Sequence, residues 1–216
     1  MYPPAAVSGD VETFLLLLPI LLVSMTFHEL AHGWVAWRLG DPTAKLLGRI
    51  SLNPVRHIDP LGTAMFAITY FGSSFIFGWA KPIPVTPRNF KNPKQGMAIV
   101  AVAGPLTNFA IALGFAAIIV HTTIDPFSQA WEVIVYSFSI NIVLGVFNLF
   151  PVPPLDGSKV LFALLPPQLA WRWRPVLEQY GFVLLLLLFF FPPGNSIGGR
   201  IVSPIIDGIF RLLVGV

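Results

Sequence analysis

The sequence predicts an all-α membrane protein with about four to five membrane segments. A re-entrant or hairpin apolar segment and short elements at the membrane surface accompany them. Two observations carry this reading. Of 216 residues, 55% are hydrophobic and only 11% are charged, with a mean hydropathy of +0.76. A soluble domain carries about 25% charged residues, so this chain has too few to coat a globule. The apolar residues also gather in uncharged runs near the roughly 20 residues a helix needs to cross a bilayer. Disorder is excluded by the same numbers. With no cysteine in the chain, disulfides, thiolate metal sites and cysteine nucleophiles are excluded. The net charge of +3 is small and scattered. It marks no nucleic-acid partner and leaves the lipid bilayer as the main environment. The whole of 1–216 reads as a single integral-membrane domain, with no internal repeat.

The elements follow in chain order. The stretch MYPPAAVSGDVE has no basic residue and carries Asp10 and Glu12, which argues against a cleaved signal peptide. From Thr13 to Phe27 there is no charge, and the helical pattern continues to Trp37, with a kink expected at Pro19. Gly40-Asp41-Pro42 ends that segment. Leu46–Leu52 reads as a short surface strand. Leu61–Ala80 is apolar but interrupted by Gly62, Gly72, Ser73, Ser74 and Gly78, and a Pro- and Lys/Arg-rich loop follows over 81–95. Met97–Val120 and Val133–Phe150 are clear spans, the second closed by Pro151, Pro153 and Pro154. Trp171, Arg172, Trp173 and Arg174 form an interface anchor. Val176–Phe191 is an apolar run somewhat short for a span. Arg200–Val216 is amphipathic, with Ser203, Asp207 and Arg211 on one face.

Loop charges orient the chain. Residues 38–60 hold Arg38, Lys45, Arg49 and Arg56; residues 81–95 hold Lys81, Arg88, Lys91 and Lys94; residues 159–174 hold Lys159, Arg172 and Arg174. The stretches 1–12 and 121–132 hold no Lys or Arg. The first span therefore runs from outside to cytoplasm, 97–120 runs back, and 133–150 returns. Both ends of Leu61–Ala80 then lie on the cytoplasmic side, so that segment enters and leaves by one face. Irregular backbone at membrane depth survives only where protein or a water-filled cavity covers it.

Glu29 is the one carboxylate inside a continuous apolar span, and ionisable groups placed there mark function by default. Two histidines flank it. His28 and His32 are four apart, so both imidazoles project from one helix face, in reach of one shared Zn²⁺ at about 2.0–2.1 Å. Glu29 adjoins the first of them, where a carboxylate can take a proton from an attacking water. A catalytic zinc usually has three protein ligands. By the charge argument His121, Asp125 and Glu132 lie on the far side. His57, Asp59 and Asp156 are left, with Asp156 favoured because it follows an apolar span directly. Counted back from Arg38, His32 and His28 place the metal roughly 9–15 Å below the cytoplasmic interface. A straight helix from Val133 would leave Asp156 too shallow, so the helix is expected to stop near Gly145–Asn148 and the Pro-rich stretch to fold back. Asn148 can offer an amide donor to a developing oxyanion or bond to a neighbouring helix. Asn108, beside Gly104-Pro105, reads as an amide that bridges helices.

Three motifs together carry a resemblance. They are His28-Glu29-Leu30-Ala31-His32, Gly104-Pro105-Leu106-Thr107-Asn108, and the run Asn148-Leu149-Phe150-Pro151-Val152-Pro153-Pro154-Leu155-Asp156-Gly157. In order and separation they resemble the site-2 protease family of intramembrane zinc metalloproteases, over nearly the whole chain. The resemblance is to compact members, without a PDZ or nucleotide-sensing domain. It implies that His28, His32 and Asp156 bind one zinc, that Glu29 is the catalytic acid/base, and that Asn148 lies near substrate or transition state. It further implies cleavage of a peptide bond within or near a transmembrane segment of a membrane-protein substrate, by a multi-pass enzyme of the cell membrane whose zinc lies towards the cytoplasm. The rival reading is a zinc-binding membrane channel or transporter without hydrolysis. Transport needs only ligands, however, whereas Glu29 stands where a general base is required.

Overall fold

The structure is a computed structural model, and it describes residues 10–72, 76–192 and 195–215. Ser73 and Ser74 lie outside the described residues, as do most of the residues before Val11. The described residues form helices joined by turns and extended stretches, with no strand among them: α1 Val11–Arg38, α2 Thr43–Leu46, α3 Pro60–Gly72, α4 Pro93–His121, α5 Gln129–Asn148, α6 Asp156–Leu164, α7 Pro167–Phe190 and α8 Ile197–Val214. Short 3-10 turns lie at Pro54–His57 and Pro87–Asn89. Four helices, α1, α4, α5 and α7, are long and apolar enough to cross a membrane.

Local chemistry sets the helix starts. Asp10 accepts from the Thr13 amide, Asn92 from that of Gln95, and Ser128 from that of Trp131. Each side chain satisfies one of the four amides a helix start leaves open. α1 runs unbroken past Pro19. α5 begins earlier than Val133 and ends at Asn148, where Leu149 closes the last turn and the Pro-rich break begins.

Two expectations change. Leu46–Leu52 is not a strand: Leu46 closes the helical turn α2, and Gly48 then takes a left-handed φ of 63° that reverses the chain. Leu46, Leu47 and Leu52 stay exposed on that surface. Val176–Phe191 is the second half of a longer helix. α7 starts at Pro167, passes through Pro175, and fuses the Trp/Arg anchor with the apolar run. Pro is well placed at a first helical position because it has no amide to satisfy there.

Leu61–Ala80 folds as a hairpin. α3 carries the chain away, and an extended stretch brings it back along the same helix. The Thr69 hydroxyl contacts both the amide and the carbonyl of Phe77, at 2.9 and 3.1 Å. The Lys81 amide donates to the His57 carbonyl at 2.8 Å, closing the two ends.

α4 is the centre of the bundle and packs against α1, α5, α6 and α8. Its outer half joins α5 and α8 in an apolar core of Ala112, Ala116, Phe138, Ile142, Val146 and Val202. Its inner half faces α1 and α6, and the polar residues gather there.

Candidate metal centre and its surroundings

α1 carries an unusual load for an apolar helix: Ser24, Thr26, His28, Glu29 and His32 are all buried. Ser24, His28 and His32 repeat every four residues and so share one face. The break after α5 brings Asp156 to that face, as the first residue of α6. Gly157 makes the fold-back possible, since a Cβ there would run into the Leu149 backbone carbonyl.

Three atoms converge. His28 Nε2 and His32 Nε2 are 3.0 Å apart, and Asp156 Oδ2 is 3.2 Å from the first and 3.0 Å from the second. The far side of each of these three side chains is occupied. His28 Nδ1 is 2.5 Å from Asn108 Oδ1, His32 Nδ1 is 2.7 Å from the Val100 carbonyl, and Lys159 Nζ donates to Asp156 Oδ1 at 2.7 Å. Both Nδ1 atoms face oxygens that only accept, so in the neutral rings each Nδ1 carries the proton and each Nε2 is bare. Two bare ring nitrogens and a carboxylate oxygen then meet with no hydrogen between them. Such a cluster calls for a cation. A tetrahedral Zn²⁺ with bonds of about 2.0–2.1 Å sets its ligand atoms about 3.3 Å apart, close to the observed triangle. Partners of this kind, behind the converging atoms, are the ones that orient side chains in metal sites.

Gly104 forms a wall of the cluster. A Cβ built there would sit 2.5 Å from His32 Nε2 and 2.6 Å from His28 Nε2. Glycine at this point of α4 is a matter of space, and any side chain would collide with the two rings.

Glu29 is buried, and its Oε2 accepts from the Ile83 amide at 2.8 Å. Ile83 belongs to an extended strap between the hairpin and α4. Three ties hold the strap. Arg49 donates to the Lys81 carbonyl, the Lys81 amide donates to the His57 carbonyl, and the Thr86 amide donates to Asp41 Oδ2. Asp41 is fully buried and also accepts from Thr43 and from Asn89 Nδ2. Burial pushes its carboxyl up. The hydrogen bonds from Thr43, Thr86 and Asn89 outweigh this and hold it below the ordinary aspartate range.

The other candidates lie elsewhere. His57 is buried, but its Nε2 faces the Ser51 carbonyl at 2.8 Å. Asp59 caps α3 through the Leu61 and Gly62 amides, and Asp125 accepts from the Phe127 amide. Asn148 is half-buried, and its Nδ2 donates back to the Leu144 carbonyl of its own helix. Asn108 bridges helices as its position suggests, and it also touches His28. Lys159 and the Ile83 amide escape a reading of the sequence. Lys159 lies one turn after Asp156 and could have been found by that spacing; a backbone amide has no signature at all.

Residues 123–188 match the model of peptidase family M50. Over 205 residues the chain is 37% identical to a Bacillus subtilis protein that carries the name zinc metalloprotease YwhC, covering 89% of this chain and 88% of that one. It is 29% identical over 203 residues to the Mycobacterium tuberculosis protein bearing the name zinc metalloprotease Rip2, covering 89% of this chain and 72% of that one. It is 30% identical over 146 residues to zinc metalloprotease MJ0392 of Methanocaldococcus jannaschii, covering 68% of this chain and 33% of that one. No solved structure matches. The chain belongs to peptidase family M50, the site-2 protease family, as a multi-pass membrane metalloendopeptidase with Zn²⁺ as its cofactor.

Proposed function

We propose that the protein is an intramembrane endopeptidase of the cell membrane that hydrolyses a peptide bond within or near a transmembrane segment of a membrane-protein substrate. The observation that carries the reading is the convergence of His28 Nε2, His32 Nε2 and Asp156 Oδ2 on a buried face of an apolar helix, with Glu29 as the next residue. His28, His32 and Asp156 are the proposed zinc ligands. Zinc supplies there a Lewis acid that polarises a carbonyl and makes water acidic near neutral pH. Glu29 takes the proton of the attacking water and delivers it to the leaving amine, while the Ile83 amide holds the other end of the geometry by fixing Oε2. Asn148, at the end of α5 where the helix opens, is proposed to contact the substrate backbone. The Lys and Arg residues of loops 38–60 and 81–95 support a cluster that lies towards the cytoplasm. The contribution of α1, α4, α5 and α6 to one cluster or its immediate supports favours a single membrane domain.

The rival is a zinc-binding channel or transporter without hydrolysis. Glu29→Gln separates the two in proteoliposomes that hold a labelled transmembrane peptide. The protease reading expects full zinc retention and cleavage reduced at least about 10²-fold, the scale of a lost general base. Undiminished cleavage, or zinc flux that persists in a chain without cleavage, would overturn it. Asn148→Ala is expected to keep zinc and slow cleavage.

A further inference from the structure

The cluster has a second row of polar residues that the catalytic reading does not use. Asn108 and Asn141 are 0% and 1% exposed, on α4 and α5. Asn108 Nδ2 donates to Asn141 Oδ1 at 2.8 Å, and Asn141 Nδ2 donates to the Ser137 carbonyl at 2.8 Å and to Ser24 Oγ at 2.9 Å. We propose that Asn141 and Asn108 form a directional amide relay that positions His28, fixing both its ring proton and its place on α1.

The direction follows from one atom. The Ser137 carbonyl only accepts, so the Asn141 atom facing it is the amide nitrogen. Asn141 therefore turns its oxygen to Asn108, which must answer with its own nitrogen. Asn108 in turn presents its oxygen to His28 Nδ1. An oxygen that only accepts requires Nδ1 to carry the ring proton, which leaves Nε2 bare towards the cluster. The orientation of each amide is set by the one behind it, back to a backbone carbonyl that cannot change role. His32 obtains the same result in one step, from the Val100 carbonyl. His28 faces side chains on that edge and needs the relay.

The second N–H of Asn141 adds a tether. Ser24 lies one turn before His28 on the same face of α1, so α5 holds α1 directly through Ser24 and indirectly through Asn108. Rotation of α1 that moved His28 would break both. Two asparagines that only glued helices together would serve in either amide orientation and would have no bearing on the metal. Outer partners of a metal-binding histidine typically change affinity 10–100-fold when removed.

The proposal rests on His28 as a zinc ligand, and the test separates the two. Zinc affinity is measured by chelator competition on the full chain in detergent, with thermal unfolding alongside. Asn108→Ala is expected to weaken zinc about 10–100-fold, and Asn141→Ala to weaken it less. The double variant is expected to be no weaker than Asn108→Ala, because Asn141 acts through Asn108. Asn141→Ser keeps a small polar group should the alanine chain fail to fold, and a smaller loss of affinity is expected there. Lower melting temperatures with unchanged zinc affinity would overturn the relay, as would strictly additive losses in the double variant. His28→Ala is the control. If it keeps zinc, the ligand assignment itself has failed; if it releases zinc while the asparagine variants bind at full strength, the relay alone has failed.

Discussion

Lys159 Nζ lies 2.7 Å from Oδ1 of Asp156, whose other oxygen faces His28 and His32. A carboxylate with one oxygen engaged this way turns its other oxygen to the two histidines, and we propose that Asp156 would offer that oxygen to a metal. Lys159 reaches in from a position that is 40% exposed, one turn along α6. Lys159→Met is expected to weaken zinc about tenfold with little change in melting temperature, and Lys159→Arg is expected to restore most of the affinity. Chelator competition gives the answer; equal zinc affinity in wild type and Lys159→Met would remove Lys159 from the metal site.

Gly104 tests the space around the cluster. Gly104→Ala places a methyl group within 2.6 Å of both histidine rings. We expect it to cost about 1–3 kcal/mol of stability, as overpacking does, and to lower the zinc content of purified protein. Gly114, on the same helix, has nothing within 4 Å of an added Cβ, so Gly114→Ala is neutral or slightly stabilising by helix propensity. Equal zinc content in the two variants would show that Gly104 does not bound the metal face.

Asp41 lies outside the spans and secures the strap that holds Glu29. Asp41→Ala is expected to lose about 2–3 kcal/mol, because the Thr86 and Thr43 amides lose a charged acceptor, and to reduce cleavage while zinc is kept. The pH dependence has a definite sign. The carboxyl of Asp41 is lowered on folding from an ordinary value of 3.8. Its contribution is therefore fully present above that value and is lost as pH falls through the lower, folded value. Thermal unfolding at several pH values should show a constant gap between wild type and variant near neutrality that narrows only below about pH 4. A gap that changes between pH 6 and 8 would assign the effect to another group.

The parts of this protein that the sequence declares are those where one residue type is costly anywhere else. Glu29 in an uncharged span, two histidines at spacing four, and an aspartate after a double proline each need a reason, and a metal is an economical one. The turn back after Asn148 was legible for the same kind of reason, since depth and helix rise could not otherwise bring Asp156 to His28. What escaped was everything carried by common residues or by backbone. The Val100 carbonyl and the Ile83 amide are invisible in a list of side chains. Asn108 and Asn141 look like ordinary helix bridges until the hydrogen bonds give them a direction. The leucines and isoleucine of Leu46–Leu52 suit a strand, whereas the left-handed φ of Gly48 turns the chain and no partner strand lies among the described residues. The polar first turns of α7 hide its start in the sequence, since polarity at a membrane surface does not end a helix.

The last prediction concerns how Leu61–Ala80 meets the membrane. α3 has 13 residues, a length of about 20 Å, against a hydrocarbon thickness of about 30 Å. It is too short to cross unaided, and the extended chain after it does not continue outward. Gly78 lies against Phe66, and a Cβ on Gly62 would collide with the Trp79 carbonyl, so the return stretch runs back along α3. The Lys81–His57 backbone hydrogen bond then fixes entry and exit at one level. Residues 45 and 91, on either side of this hairpin, must face the same compartment, and residue 125, beyond α4, must face the opposite one. Single cysteines at these positions, in a chain that has none of its own, can be labelled by a membrane-impermeant maleimide in sealed vesicles. Positions 45 and 91 are expected to react from one side and 125 from the other. Labelling of 45 and 91 from opposite sides would mean that the segment crosses the membrane. The strap that carries Ile83 could not then reach Glu29 from the side on which α1 ends.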